Sequence, residues 1–193
     1  MDEHPGGAPL LGEPLPIELI NTTYAVRGRP QEGLCTPEQL ATWLRDVKFE
    51  TDDVTDSDLA AARELRDATR AIASATVHGE VPDQEAVATL NRYAESPPRW
   101  RELRTEPEFH SVSCTSGTPV AAALAAIAAD AVDLFGGPLR HKLRACGGPG
   151  CVLYFIKDRP RREWCSHGCG NRGRAARHYA RTRQSDQSPE AGA

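Results

Sequence analysis

The chain has 193 residues, a formal charge of −4, 39% hydrophobic and 26% charged residues. This is enough apolar content for a packed core, which excludes a wholly disordered chain, and the length suits one ordinary domain plus a small module. The acidic, Pro/Gly-rich opening MDEHPGGAPLLGEPLP has no basic region followed by an apolar run, and the longest apolar stretch, residues 119–129, is too short to span a bilayer. A soluble, cytoplasmic protein with no membrane partner is expected.

Residues 1–15 are predicted as a disordered leader, and residues 15–24 as a short apolar element of undecided type. Residues 27–33 follow as a polar turn. Thr36-Pro37-Glu38-Gln39 carries an N-cap, a proline at the first helical position and a capping-box glutamine, which predicts a helix to about Val47. A longer helix starts near Thr55 or Asp56 and stops at Gly79, with Leu59, Ala62, Leu65, Ala68, Thr69, Ile72 and Ala73 on one stripe. Asp52, Asp53, Asp56 and Asp58 read as helix-start composition more than as an acid–base pair. A third helix covers residues 83–94, and residues 97–117 suggest a two-stranded element. Thr118-Pro119 starts an alanine-rich helix ending at Phe135-Gly136-Gly137, apolar nearly all round and so expected to be the most buried. Next, the run Val152–Ile156 reads as a strand, Asp158-Arg159-Pro160 as a turn and Arg162–Trp164 as the returning strand. The fold class expected is mainly α with small β elements. A multihelical N-terminal domain, residues 16–138, precedes a treble-clef-like zinc finger, residues 139–183. Residues 184–193 form a disordered tail, and residues 1–138 are expected to fold alone.

Four cysteines carry the strongest chemical signal. Cys146 and Cys151 are separated by Gly-Gly-Pro-Gly, and Cys165 and Cys169 by Ser-His-Gly, with residues 152–164 between the pairs. Each pair can turn two thiolates toward one ion at about 2.3 Å, and neither is a Cys-x-x-Cys redox motif. A reducing compartment also favours metal over disulfides. One structural Zn²⁺ held by Cys146, Cys151, Cys165 and Cys169 is expected, with no open coordination position for catalysis. His167 is expected as an exposed loop residue rather than a ligand, Trp164 as a cover over the cluster and Asn171 as a helix cap. Cys35 and Cys114 stand apart, as ordinary core or semi-buried thiols.

The net charge hides a split. Residues 139–183 hold twelve Lys or Arg against Asp158 and Glu163, a formal +10. The remainder holds 11 basic and 25 acidic residues, a formal −14. A basic module of this kind points to a polyanion, although the two halves could also dock on each other by charge. On the helix after Cys169, Arg172, Arg174, Arg177, His178 and Arg181 are the candidate DNA-binding residues, and Ala176, Tyr179 and Ala180 form an apolar strip. There is no nucleophile elbow, phosphate loop or His/carboxylate metal motif, so no enzyme is expected.

The string Trp164-Cys165-Ser166-His167-Gly168-Cys169-Gly170-Asn171-Arg172, with the basic helix after it, resembles the zinc finger named for its Cys-Gly-Asn-Arg motif (CGNR). Glu18–Thr22, Arg27-Gly28-Arg29, Thr36-Pro37-Glu38, Trp43-Leu44, Leu65–Ala68 and Leu90-Asn91 are similar to the stress-induced transcription regulator domain (ABATE) fused to that finger. The resemblance implies a DNA-binding regulator, with a small-molecule effector or a homodimer contact placed on the N-terminal domain. A zinc-stapled protein-interaction module is the alternative from another class. RNA binding is disfavoured because only Tyr154, Phe155, Trp164 and Tyr179 could stack on bases.

Overall fold

In the computed structural model, which describes residues 8–51 and 53–186, three threonines set the starts of long helices. Thr36 accepts from the Gln39 N–H, and the Gln39 side chain returns to the cap backbone; the helix runs Pro37–Asp46. Thr55 and Asp58 form the same reciprocal cap on Asp56–His78, and Gly79 ends that helix at φ 71° in the left-handed region. Thr118 accepts from the Ala121 N–H at the start of Pro119–Gly136. Among the described residues the α-helices are α1 Leu15–Ile20, α2 Pro37–Asp46, α3 Asp56–His78, α4 Gln84–Glu95, α5 Pro119–Gly136 and α6 His167–Asp186. Three antiparallel strand pairs accompany them: β1 Thr23–Val26 with β2 Arg29–Glu32, β3 Arg99–Arg104 with β4 His110–Thr115, and β5 Leu143–Ala145 with β6 Tyr154–Ile156. The expected polar turn at residues 27–33 is therefore the end of a hairpin. Asp52 lies outside the described residues.

Helix α5 shows why local composition alone misleads. It is 18 residues long, and by length and composition it could cross a membrane. Yet Val120, Ala123, Leu124, Ile127, Ala128, Ala131 and Leu134 are buried, and α5 packs on α1, α3 and α4. Its alanines let neighbouring helices approach closely, so it is the central core helix.

The expected 1–15 leader is corrected from Ala8 onward. Ala8 is buried, Leu10 packs on the main core and Leu11 packs on the cysteine cluster. The Glu18 carboxylate, itself buried, accepts from the Leu11 N–H at 2.9 Å and the Glu13 N–H at 2.6 Å. Burial pushes the Glu18 carboxyl above its ordinary range, against the lowering effect of those two N–H groups. Pro/Gly-rich composition predicts disorder, but a buried acceptor gives these N–H groups a partner. Residues 1–7 and 187–193 lie outside the described residues. The backbone of α6 continues to Asp186, into the expected 184–193 tail.

The core also crosses residue 138. Ile17, Ile20, Ala73 and Leu134 share one buried cluster with Leu143, Tyr154 and Ile156. Fully buried Asn21 clasps the strand after the knuckle. Its Nδ2 donates to the Tyr154 carbonyl at 2.9 Å, and its Oδ1 accepts from the Tyr154 N–H at 2.9 Å. Arg70 donates to the carbonyls of Ile20 at 2.8 Å and Val152 at 2.7 Å, and lies over the Tyr154 ring. Glu13, with its side chain only 3% exposed, pairs with Arg162 and accepts from the Ile156 N–H at 2.9 Å. These contacts join the helical domain to the finger through one shared buried cluster.

The strand pairing inside the finger is a further correction. The partner of β6 is β5, with Leu143 opposite Ile156 and Ala145 opposite Tyr154, and not Arg162–Trp164. Residues 159–161 turn, and the Arg162 guanidinium, rather than a returning strand, bonds the Ile156 carbonyl at 3.1 Å and the Cys165 carbonyl at 3.2 Å.

Candidate metal centre and nucleic-acid interface

The cysteine site is assembled from a knuckle and a helix start. The Cys146 N–H donates to the Leu153 carbonyl at 2.8 Å, which closes the β5–β6 hairpin around residues 147–152. The Cys151 N–H donates to the Gly148 carbonyl at 2.9 Å. Opposite, Ser166 caps α6 by accepting from the Cys169 N–H at 3.3 Å, so Cys169 enters from the first helical turn. Asn171, expected as the cap, instead sits within α6.

All four sulfurs lie within 4.8 Å of one another. Cys151 and Cys165 are 3.8 Å apart, and Cys165 and Cys169 are 3.4 Å apart. A tetrahedron of thiolates about 2.3 Å from a zinc ion has edges of roughly 3.8 Å, so the set fits. Cys146, Cys165 and Cys169 are buried, and Cys151 is half-buried. The four sulfurs compete for protons: their mutual contacts hold the Cys146 thiol below its ordinary range and push those of Cys151 and Cys165 up. A divalent cation removes that competition and lets all four sulfurs be thiolates. The cofactor of this chain is one structural zinc, and its four-thiolate cage leaves no position for substrate.

The sulfur charge is balanced from outside the cage. The Cys165 N–H points at the Cys146 sulfur at 3.4 Å, and the Arg172 guanidinium donates to the Cys169 sulfur at 2.9 Å. The Cys-Gly-Asn-Arg string can thus be read atom by atom. Cys169 supplies a sulfur. Gly170 leaves room for Trp164, since a Cβ there would meet the indole at 3.3 Å. Asn171 Oδ1 accepts from Arg174 Nη2 at 2.7 Å, and Arg172 turns back to Cys169. Gly173, one turn on, carries the same requirement: a Cβ would lie 3.0 Å from Trp164 Nε1. Glycines at i and i+3 make the flat helix face on which Trp164 rests and covers the cluster. This pairing of two helical glycines with a nearby tryptophan was a readable signal that the sequence reading did not use.

The remaining candidates lie further along α6. Arg174 and Arg177 are exposed, with guanidinium carbons 5.8 and 5.1 Å from the Trp164 ring centroid. Arg177 also approaches Glu163 at 4.0 Å, an exposed pair inside the finger. His178 and Arg181 are exposed, and His178 meets Tyr179 edge to face. Arg172 is thus drawn to the metal centre, whereas Arg174, Arg177, His178 and Arg181 follow one another along the outer helix. Ala176, Tyr179 and Ala180, the expected apolar strip, are exposed too, Tyr179 by 70%. His167 is exposed at the helix start, outside the cage. Cys35, expected to be buried or half-buried, is exposed, and its thiol donates to the Glu32 carbonyl at 3.2 Å; Cys114 is half-buried. Next to α6, a cleft of about 580 Å³ is lined by Arg159, Arg161, Arg174, His167 and Trp164 among others.

A multihelical domain carrying a closed four-cysteine knuckle-and-helix site defines a protein of the zinc-finger class. Residues 13–138 match the family described as "Putative stress-induced transcription regulator" (ABATE), and residues 142–182 match the CGNR zinc finger. The chain belongs to the ABATE family and ends in a CGNR finger. No curated protein matches the chain.

Proposed function

We propose that this chain is a cytoplasmic, DNA-binding transcription regulator of the stress response, whose zinc cluster anchors α6 as a projecting basic helix. One observation carries this reading: residues 174–183 of α6 are exposed on every side, arginines and apolar strip alike. A helix that buries no face gains little from its own chain and is marginal alone. Anchored by Cys169 and Trp164, it presents a rod about 15 Å long to a partner, slim enough for the major groove. The arginines remain in solvent rather than packing on the acidic helical domain, which favours a polyanion over internal docking.

The contacts assigned are Arg174, Arg177, His178 and Arg181 along α6, with Arg159 and Arg161 beside them, while Arg172, turned back to the Cys169 sulfur, holds the anchored end. Four to five phosphate contacts give a slope of log affinity against log salt of about −4. Arg177→Ala should lower that slope by about one if Arg177 meets a phosphate, or leave it and relax sequence preference if Arg177 reads a base. Fluorescence anisotropy on zinc-loaded protein measures both. No binding to any DNA at low salt would sink the reading.

The second reading, a protein-interaction module, is favoured by the β3–β4 hairpin, which leaves Trp100, Leu103 and Phe109 exposed by 46, 69 and 79%. A homodimer joined there would carry two basic arms, so the readings are compatible. A small-molecule effector, if one acts, is assigned within this proposal to the helical domain.

A further inference from the structure

We propose that the Arg27-Gly28-Arg29 tip of the β1–β2 hairpin is a second phosphate-contacting element for duplex DNA, supplied by the helical domain and seated beside the zinc knuckle. This rests on the DNA-binding reading above. Val26 pairs with Arg29, so Arg27 and Gly28 form a two-residue hairpin turn, at φ 52° and 80°. Both angles are left-handed, a conformation that suits Asn-Gly and disfavours arginine. An arginine held there, exposed to solvent, is not explained by the turn. Its side chain is the reason to look for a partner.

The tip is held in place. Gly28 abuts Gly150: a Cβ built on Gly150, itself at φ 68°, would lie 2.7 Å from the Gly28 Cα. The knuckle in turn meets the first turn of α6, where a Cβ on Gly148 would lie 3.0 Å from the Cys169 Cβ. Tyr24 of β1 packs into the cysteine cluster. Tip, knuckle and basic helix are therefore one continuous train of contacts. Neither Arg27 nor Arg29 makes an ion pair among the described residues, and residues 23–31 contain no acid. The nearest hairpin acid, Glu32, is taken by Arg66 at 2.6 Å. Two unneutralised arginines thus sit on an otherwise acidic domain at the point where it touches the finger. A backbone turn bearing two arginines suits the phosphates flanking the site that α6 occupies.

The test uses full-length zinc-loaded protein and a mixed-sequence duplex of about two helical turns. Arg27→Ala/Arg29→Ala should lower the salt slope by about two and weaken binding alike for all sequences. Arg27→Lys/Arg29→Lys should keep the slope. Arg27→Gly, which relieves the left-handed backbone, should melt no lower than the parent protein and still bind more weakly, a combination that a purely structural role does not produce. Unchanged affinity and slope in the Ala pair, while Arg177→Ala still weakens binding, would overturn this inference alone. Absence of DNA binding by the parent protein would overturn both.

Discussion

Arg162 and Arg177 belong to the same basic module, yet the molecule uses them in opposite ways. Arg162 is turned inward: it pairs with Glu13, lies 4.8 Å from the centroid of the Phe155 ring and bonds three carbonyls, those of Ile156, Trp164 and Cys165. Arg177 is turned outward, against one face of Trp164 and an exposed Glu163. The division runs through the whole finger. Residues 142–170 give their apolar side chains, one arginine and four sulfurs to the interior, whereas the helix beyond Gly173 gives nothing to it. Net charge therefore does not define an interface by itself. Of twelve basic residues in the module, those fixed to Glu13, backbone carbonyls or a cysteine sulfur are already spent on the fold.

Removal of zinc should produce the largest effect. Leu143, Tyr154 and Ile156 flank the ligands Cys146 and Cys151 and also share a core with α1, α3 and α5. Apparent zinc binding free energies of order 10 kcal/mol are coupled to folding in such sites. Strong chelator should lower the melting temperature of the entire chain, and a fragment of residues 1–138 should melt without cooperativity. A helical domain that melts unchanged in chelator would show the two regions to be independent.

Asn21→Ala comes next. It strands the buried N–H and C=O of Tyr154, at a cost of about 2–5 kcal/mol for the two groups together. Denaturant unfolding measures the loss. A change below 1 kcal/mol would mean that the clasp between the helical domain and β6 is incidental.

The smallest contrast compares two helical glycines. Gly168→Ala has room, its nearest neighbours lying 3.8 and 3.9 Å from the added Cβ, and should stabilise by up to about 1 kcal/mol through helix propensity. Gly173→Ala meets Trp164 at 3.0 Å and should destabilise by about 1–3 kcal/mol through overpacking. Equal effects of the two substitutions would remove the packing role given to Trp164.

Features with local causes were legible in the sequence. Thr36, Thr55 and Thr118 announced their helices because a cap is satisfied within four residues, and Gly79 announced a stop because only its own φ is at issue. The cysteine pairs were legible because a metal site fixes spacing. What escaped depends on partners distant in the chain. Residues 8–14 read as disordered because the core that takes Ala8 and Leu10, and the cysteine cluster that Leu11 packs against, are built largely from residues far along the chain. The three residues of β5 have no periodicity of their own, and pair with β6 because the knuckle closes on them. Arg162 read as one more positive charge until Glu13, 149 positions away, supplied its counter-ion.

Hydrogen exchange on zinc-loaded full-length protein, with and without duplex DNA, tests the central contrast most directly. The account predicts that amides of residues 143–156 exchange only with global unfolding, together with those of α3 and α5. Amides of residues 174–183 should exchange fast in free protein and become protected on binding DNA. Protection of residues 174–183 in free protein, or no gain in protection at saturating DNA, would contradict the claim that one half of the finger is built into the core and the other is a free basic arm for DNA.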